Sequence, residues 1–528
     1  MKFRILDTGV FRFPFQAKHF VAFAIAVLFV IGLPGFCKAD DDVQQIEEDT
    51  RQQIKQADKL AKKGNVVEAE KLLRQIIERN PQHSTAKLKL AYLLLKQKHL
   101  LEAYNLSFEI AKIEPKNSYA FALLGATLLS AGNFREAEKL LITALTLNKK
   151  QSLAWAGLGM LDFYENRIFD SIDNLKTAVY FDSDEPDFVF ALAQVSARAE
   201  KYKDAADAYY RFLQISPQTD TERRDRIKGL VNFLRFLGGK PSLYDLGGNE
   251  RALVSFELLR DRPVITLSVN NNEEPLRFVL DTGSGISVIS KETAERLKIK
   301  PITRGGLARA IGGTGKFEII YGFLKSVKIG DVKVRNVPIY IREFHSNDEK
   351  IDGYIGLSLI SKFLTTIDYG NQTFSLIRKD VADNQNVVEN KSLFLPLRLT
   401  SSGFLSGEVQ LEGIDTALNF IVDTGASISV ISDEIANMSE ISRFVRLEKM
   451  RVVGAAGVTE DVPSFLLPRV TFGSNSRESI MAVALDLDII NEASGFRQAG
   501  ILGGNFLKNY RLTFDFKNSK VIFTPVNK

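Results

Sequence analysis

The chain has 528 residues, room for roughly three domains, and its 45% hydrophobic and 25% charged content is that of a soluble globular protein. A net charge of +5 is small for this length and gives no footing for a nucleic-acid partner. The single cysteine, Cys37, excludes an intramolecular disulfide, and His19, His83, His99 and His345 lack metal-ligand spacing, so neither metal nor cofactor is expected.

The first element is a targeting segment over 1–39. Lys2, Arg4, Arg12 and Lys18 precede an apolar run from Phe20 to Cys37, and Lys38-Ala39 leads into three aspartates. A basic region, an apolar region and a small residue describe an export signal, placing the body of the protein in the periplasm or outside the cell. Cleavage after Ala39 would leave a cysteine-free chain. The same run is close to the roughly 18–20 residues that cross a bilayer, so an uncleaved anchor is the alternative, and the only membrane contact expected. This segment contains Asp7-Thr8-Gly9, the first of three copies of one tripeptide; the others are Asp281-Thr282-Gly283 and Asp423-Thr424-Gly425.

From 45 to 237 the pattern is helical and periodic. Ala69, Ala103, Ala137, Ser171 and Ala205 recur every 34 residues. Pro81, Pro115 and Pro217 share a second phase of that period, and Ala91, Gly125, Gly159 and Ala193 a third. The run resembles tetratricopeptide repeats, whose small residues lie where paired helices touch and whose prolines end the second helix. Five repeats fit between 50 and 219, and 221–237 reads as a capping helix. The resemblance implies a solenoid whose concave face binds a protein partner. A spacer or a brace for the downstream part of the chain is the other reading.

A turn-rich stretch, 238–250, ends the helical pattern, and short apolar runs come after it that read as strands. Two stretches, 250–380 and 393–528, then repeat one plan. "FVLDTGSGISVIS" matches "FIVDTGASISVIS", with the aspartates 142 residues apart. Thirty residues past each lies a Gly-rich turn, with Gly312 and Gly313 in one copy and Gly454 in the other. Further on, "YIGLSLISKFLTTIDYG" matches "ILGGNFLKNYRLTFDFK", placing Gly356 and Gly503 each 12 residues before an aspartate, Asp368 or Asp515. These two aspartates read as strand-end turn formers. Residues 380–392 are a polar linker.

This duplicated frame resembles the retropepsin-like aspartic peptidases, with two lobes fused in one chain. The expected fold is therefore multidomain: an all-α tetratricopeptide solenoid, then two all-β acid-protease lobes. The resemblance implies an endopeptidase in which Asp281 and Asp423 share a proton across a two-fold axis and activate a water. It further implies that Thr282 and Thr424 interlock the turns and that Gly283 and Gly425 permit their approach. Ser284 is expected to hydrogen-bond its own lobe's aspartate. Gly312, Gly313 and Gly454 would form flaps over an extended polypeptide substrate, and Gly356 and Gly503 would support the aspartate-bearing loops. Two alternatives stand beside this: a peptide-binding scaffold that has lost catalysis, and lobes that pair between chains. Asp7 lacks the frame and is an accident of sequence.

Overall fold

The computed structural model describes residues 36–313, 315–345, 350–382 and 392–526, with side chains from residue 47 onward. Residues 1–35, most of the expected targeting segment and including Asp7-Thr8-Gly9, and residues 383–391 of the expected linker lie outside the described residues.

Among the described residues, eleven helices run from Phe36–Lys62 to Thr221–Gly238. They pair as five helical hairpins and a cap. Period-34 residues explain the stacking. Ala69, Ala103, Ala137, Ser171 and Ala205 each sit at the fourth position of a second helix and are fully buried. Larger side chains there would separate the helices. Gly125 and Gly159 do the same from the first helix of their hairpins: a methyl on either would press on Leu141 or Leu175 of the second, at 2.8 and 2.7 Å. Pro81, Pro115 and Pro217 each follow the end of a second helix by two residues, where a missing N–H costs nothing. The first helix begins at Phe36, nine residues ahead of the start read from the period. The inner face of the superhelix is narrow enough for Lys96 of the second repeat to reach Glu185 and Asp187 of the fifth, both at 2.9 Å.

The β region begins at Asp245, five residues before the expected boundary. Each lobe is built on one main sheet. In the first, the buried strand Leu276–Leu280 is flanked by Arg262–Val269 and, in parallel, by Gly353–Ile355. In the second, Leu418–Val422 lies between Leu405–Leu411 and, again in parallel, Gly500–Leu502. A third, six-stranded antiparallel sheet joins the lobes. Lobe one contributes Arg251–Ser255, Phe363–Asp368 and Thr373–Arg378; lobe two contributes Leu393–Pro396, Tyr510–Asp515 and Lys520–Pro525. Its central pair sets Thr366 opposite Thr513, their hydroxyls 3.0 Å apart. These residues are equivalents in the duplicated frame, so the pseudo-two-fold axis passes between them. Asp368 and Asp515 cap the turns beyond, accepting from Asn371 and Asn518 respectively.

The solenoid is packed onto both lobes. Phe496 of lobe two is 1% exposed and inserts among Phe134 and Tyr164 of the repeats, ring centroids 4.9 Å from each. Arg198 donates to the carbonyls of Thr400 and Ser401 at 2.8 and 3.2 Å. On lobe one, the capping helix Thr221–Gly238 lies along the strand Thr303–Arg309. Gly229 meets the backbone of Arg304 and Gly305 with no room for a side chain. Phe233 stacks on Tyr321 at 4.4 Å, and Glu222 ion-pairs with Lys316 at 2.7 Å.

Candidate active site

Each Asp-Thr-Gly turn follows a strand that is apolar because it is covered on both faces. The parallel neighbour holds the turn's first residue: Asp281 N–H donates to Ile355 C=O and Asp423 N–H to Leu502 C=O, both at 3.0 Å. The turns face each other across the axis. Thr282 Oγ1 donates to Val422 C=O at 2.7 Å and accepts from Thr424 N–H at 3.1 Å. Thr424 Oγ1 donates to Leu280 C=O at 2.7 Å and accepts from Thr282 N–H at 3.1 Å. Both threonines are fully buried. Four bonds thus tie the lobes together where no water competes. Thr424→Val should leave the Leu280 carbonyl and the Thr282 N–H unpartnered and cost about 1–3 kcal/mol for each. Urea unfolding checks this, with Thr424→Ser, which keeps the hydroxyl, expected near wild type.

The crossing brings the aspartates together. A methyl on Gly283 would fall inside the Asp423 carboxyl, and one on Gly425 would lie 2.6 Å from Asp281 Cγ. Glycine is required at both places by approach rather than by backbone angle. Gly425 N–H donates to Asp423 Oδ1 at 2.7 Å. The two carboxyls are hydrogen-bonded to each other and keep part of their surface open to the cleft.

Asp281 is pushed well above the usual carboxylate range, first by loss of hydration, then by the charge of Asp423 and the hydrogen bond it gives Asp423. Burial raises Asp423 too, against N–H donors from Gly425 and Ala426 and the proton offered by Asp281. The pair therefore holds a proton between its two carboxyls and titrates together. A raised carboxyl contributes stability below the ordinary carboxylate range and loses it as pH rises through the folded-state value. Asp281→Asn should then gain thermal stability on wild type as pH climbs from about 4 to 7, at a rate of up to roughly 1.4 kcal/mol for each step of one in pH. Melting curves across that range check the sign; a gap that narrows with pH would contradict the assignment.

Ser284 departs from expectation. Its hydroxyl donates to Ile286 C=O at 2.7 Å, shaping its own turn rather than bonding Asp281. Gly356 and Gly503 lie under the aspartate-bearing turns. A methyl on Gly356 would sit 2.7 Å from Ile286 C, and one on Gly503 2.6 Å from Ile428 C. Their N–H groups donate to Ser287 and Ser429 hydroxyls, both at 3.1 Å.

Gly312 and Gly313 occupy the turn between Thr303–Arg309 and Lys316–Ile329; Gly454 ends Met450–Gly454, which pairs with Gly457–Val462. The two hairpins meet at their tips. Ala456 N–H donates to Ile311 C=O at 3.0 Å, and Gly313 N–H to Val458 C=O at 3.1 Å. Gly312 and Gly457 both have positive φ, +99° and +133°, and their backbones press together. Gly457 was not singled out in the sequence, though it lies in the same Gly-rich turn as Gly454. Ser287 and Ser429 were legible too, since both stand in the duplicated "ISVIS". Arg342 had no such signal: the equivalent strand position in the other copy, paired with Ser432 as Arg342 is with Ser290, holds Leu485.

Two fused lobes, each bringing one aspartate to a facing pair under paired hairpins, have the architecture expected of an aspartic protease. Comparison with protein families agrees. Residues 265–359 match the aspartyl protease family, 408–509 the gag-polyprotein putative aspartyl protease family, and 60–125 the tetratricopeptide repeat. The chain carries aspartyl-protease-family domains behind tetratricopeptide repeats. Among solved structures, a thermophilic tetratricopeptide protein of Thermus thermophilus is 19% identical, with a TM-score of 0.30, over 34% of this chain and 98% of its own. The pilF protein of Pseudomonas aeruginosa is 18% identical, with a TM-score of 0.27, over 36% and 88%. No curated protein matches the chain.

Proposed function

We propose that the chain is an aspartic endopeptidase that hydrolyses extended polypeptides, with Asp281 and Asp423 as its catalytic pair. The observation that carries this reading is the approach of the two carboxyls at the Gly283–Gly425 crossing. A water between them would lose a proton to the Asp423 carboxylate as its oxygen attacks the peptide carbonyl. The Asp281 proton would pass to the carbonyl oxygen, giving a neutral tetrahedral gem-diol. Collapse would return a proton to Asp281, move the one on Asp423 to the leaving nitrogen and break the C–N bond. Hairpins meeting at Ile311 and Ala456 would keep solvent from the bond under attack. No metal or cofactor enters these steps.

The repeats would recruit a substrate or partner, since tetratricopeptide arrays generally mediate protein interaction. They also bear on lobe one's hairpin through the capping helix, so occupancy of the solenoid would be felt at the flap. The basic-apolar-Ala39 pattern supports action outside the cytoplasm. Incubating the full chain with an unstructured peptide mixture from about pH 3 to 8 tests the reading. New peptide termini are expected. Peptide capture without product at any pH would assign the lobes to a clamp instead.

A further inference from the structure

We propose that Arg342 makes the lobe-one wall of the cleft a receptor for a carboxylate-bearing substrate side chain, while the matching lobe-two wall receives an aliphatic one. This rests on the peptide-cleft reading above and adds the class of substrate.

Arg342 ends the strand Val332–Arg342, in register with Ser290. Its guanidinium lies among three rings, at 5.6 Å from Phe317, 5.5 Å from Phe344 and 6.0 Å from Tyr354. Phe317 belongs to the flap strand, opposite Ala308. Tyr354 adjoins Ile355, whose carbonyl holds Asp281. The cation therefore sits between the flap and the catalytic pair.

One of its donors is also unsatisfied. Arg342 Nε is buried without a hydrogen-bond partner. Among the described residues the guanidinium forms neither a hydrogen bond nor an ion pair, only ring contacts. Burial presses its pKa down, opposed by the charges of Tyr354 and Asp281. A guanidinium taken out of water ordinarily needs a carboxylate or several acceptors. The aromatic faces supply part of that and leave its planar N–H edge unused. A carboxylate would match that edge with two charge-assisted bonds.

Pseudo-symmetry shows what is special to this wall. Leu485 pairs with Ser432 as Arg342 pairs with Ser290. Ile501 is the middle residue of Gly500–Leu502, as Tyr354 is of Gly353–Ile355. Leu485 and Ile501 belong to an apolar cluster with Ile421 and Val430, against which Ala426 of the active turn and Met450 of the second flap pack. Two-fold symmetry thus holds at the aspartates and breaks at the walls. A peptide lying across the axis would meet a cation on one side and an aliphatic surface on the other, which fixes the direction in which it binds.

The test uses the full chain with Asp423→Asn, expected to hold peptides and to cut them too slowly to matter during a titration. Fluorescein-labelled decapeptides, in pairs carrying Glu or Gln at each position, are titrated at pH 6 by fluorescence anisotropy. One position is expected to favour Glu by about tenfold or more, a margin of roughly 1.4 kcal/mol. Adding Arg342→Leu, which copies lobe two, should erase that preference and favour Leu there; Arg342→Lys should keep part of it. If melting shows Arg342→Leu unfolded, Arg342→Gln replaces it. No Glu preference at any position, or one that survives loss of the guanidinium, overturns the proposal. Cleavage by wild type is scored separately, so a Glu-selective protein that never cuts would sink the protease reading alone.

Discussion

Asp423→Asn should leave a folded chain that holds peptides and cuts them about 10²–10⁴-fold more slowly, the usual worth of a positioned general base. The amide that replaces the carboxyl would still accept from Gly425 N–H through its oxygen, so the turn survives. What disappears is the carboxyl proposed to take the proton from water while its partner gives one to the carbonyl oxygen. Asp281→Asn should be as damaging for the opposite reason: no proton is left to give the carbonyl oxygen. The double variant should be hardly slower than either single one, because the two carboxyls act together. Initial rates on one fluorogenic peptide measure all four chains. Losses that multiply would mean two independent groups and would contradict a shared proton.

Phe496→Ala should be the most destabilising single truncation at the junction of solenoid and lobes, costing about 3–5 kcal/mol. The ring is 1% exposed and lies edge-on to Phe134. Removing it opens a cavity inside the solenoid core, not on a surface. Phe496 also stands four residues before the strand Gly500–Leu502, whose last carbonyl holds Asp423. Peptide cleavage should therefore fall as well, by less than in the aspartate variants. Urea unfolding followed by tryptophan fluorescence at Trp155, within the repeats, reports the midpoint. An unchanged midpoint would mean that the repeats and lobe two stand independently.

Much of this architecture was legible because it is repetitive. The 34-residue period reads directly as helix pairs, since a small residue is needed wherever two helices touch, and Ala69 through Ala205 supply it. The duplicated frame announces the two-fold axis, because equivalent residues must meet on it: Thr282 with Thr424, Thr366 with Thr513. What escaped notice has no local pattern. Ser284 finds its acceptor in Ile286 C=O instead of the carboxyl expected of it. Clamping of the flap strand by the capping helix joins Gly229 to Arg304 across a domain boundary, where sequence spacing says nothing. Arg342 is defined by contrast with Leu485, and that equivalence appears only once strand register is known.

The most direct test of the central claim is the binding of a peptide whose scissile bond is replaced by a hydroxyl-bearing tetrahedral carbon, a mimic of the hydrated intermediate. Calorimetry on the full chain, with its mass in solution measured alongside, gives affinity and stoichiometry together. One analogue should bind per single chain, at least about 100-fold more tightly than the unmodified peptide, and Asp423→Asn should remove that advantage. One analogue per two chains, or equal affinity for analogue and peptide in the wild-type chain, would contradict an intramolecular catalytic pair.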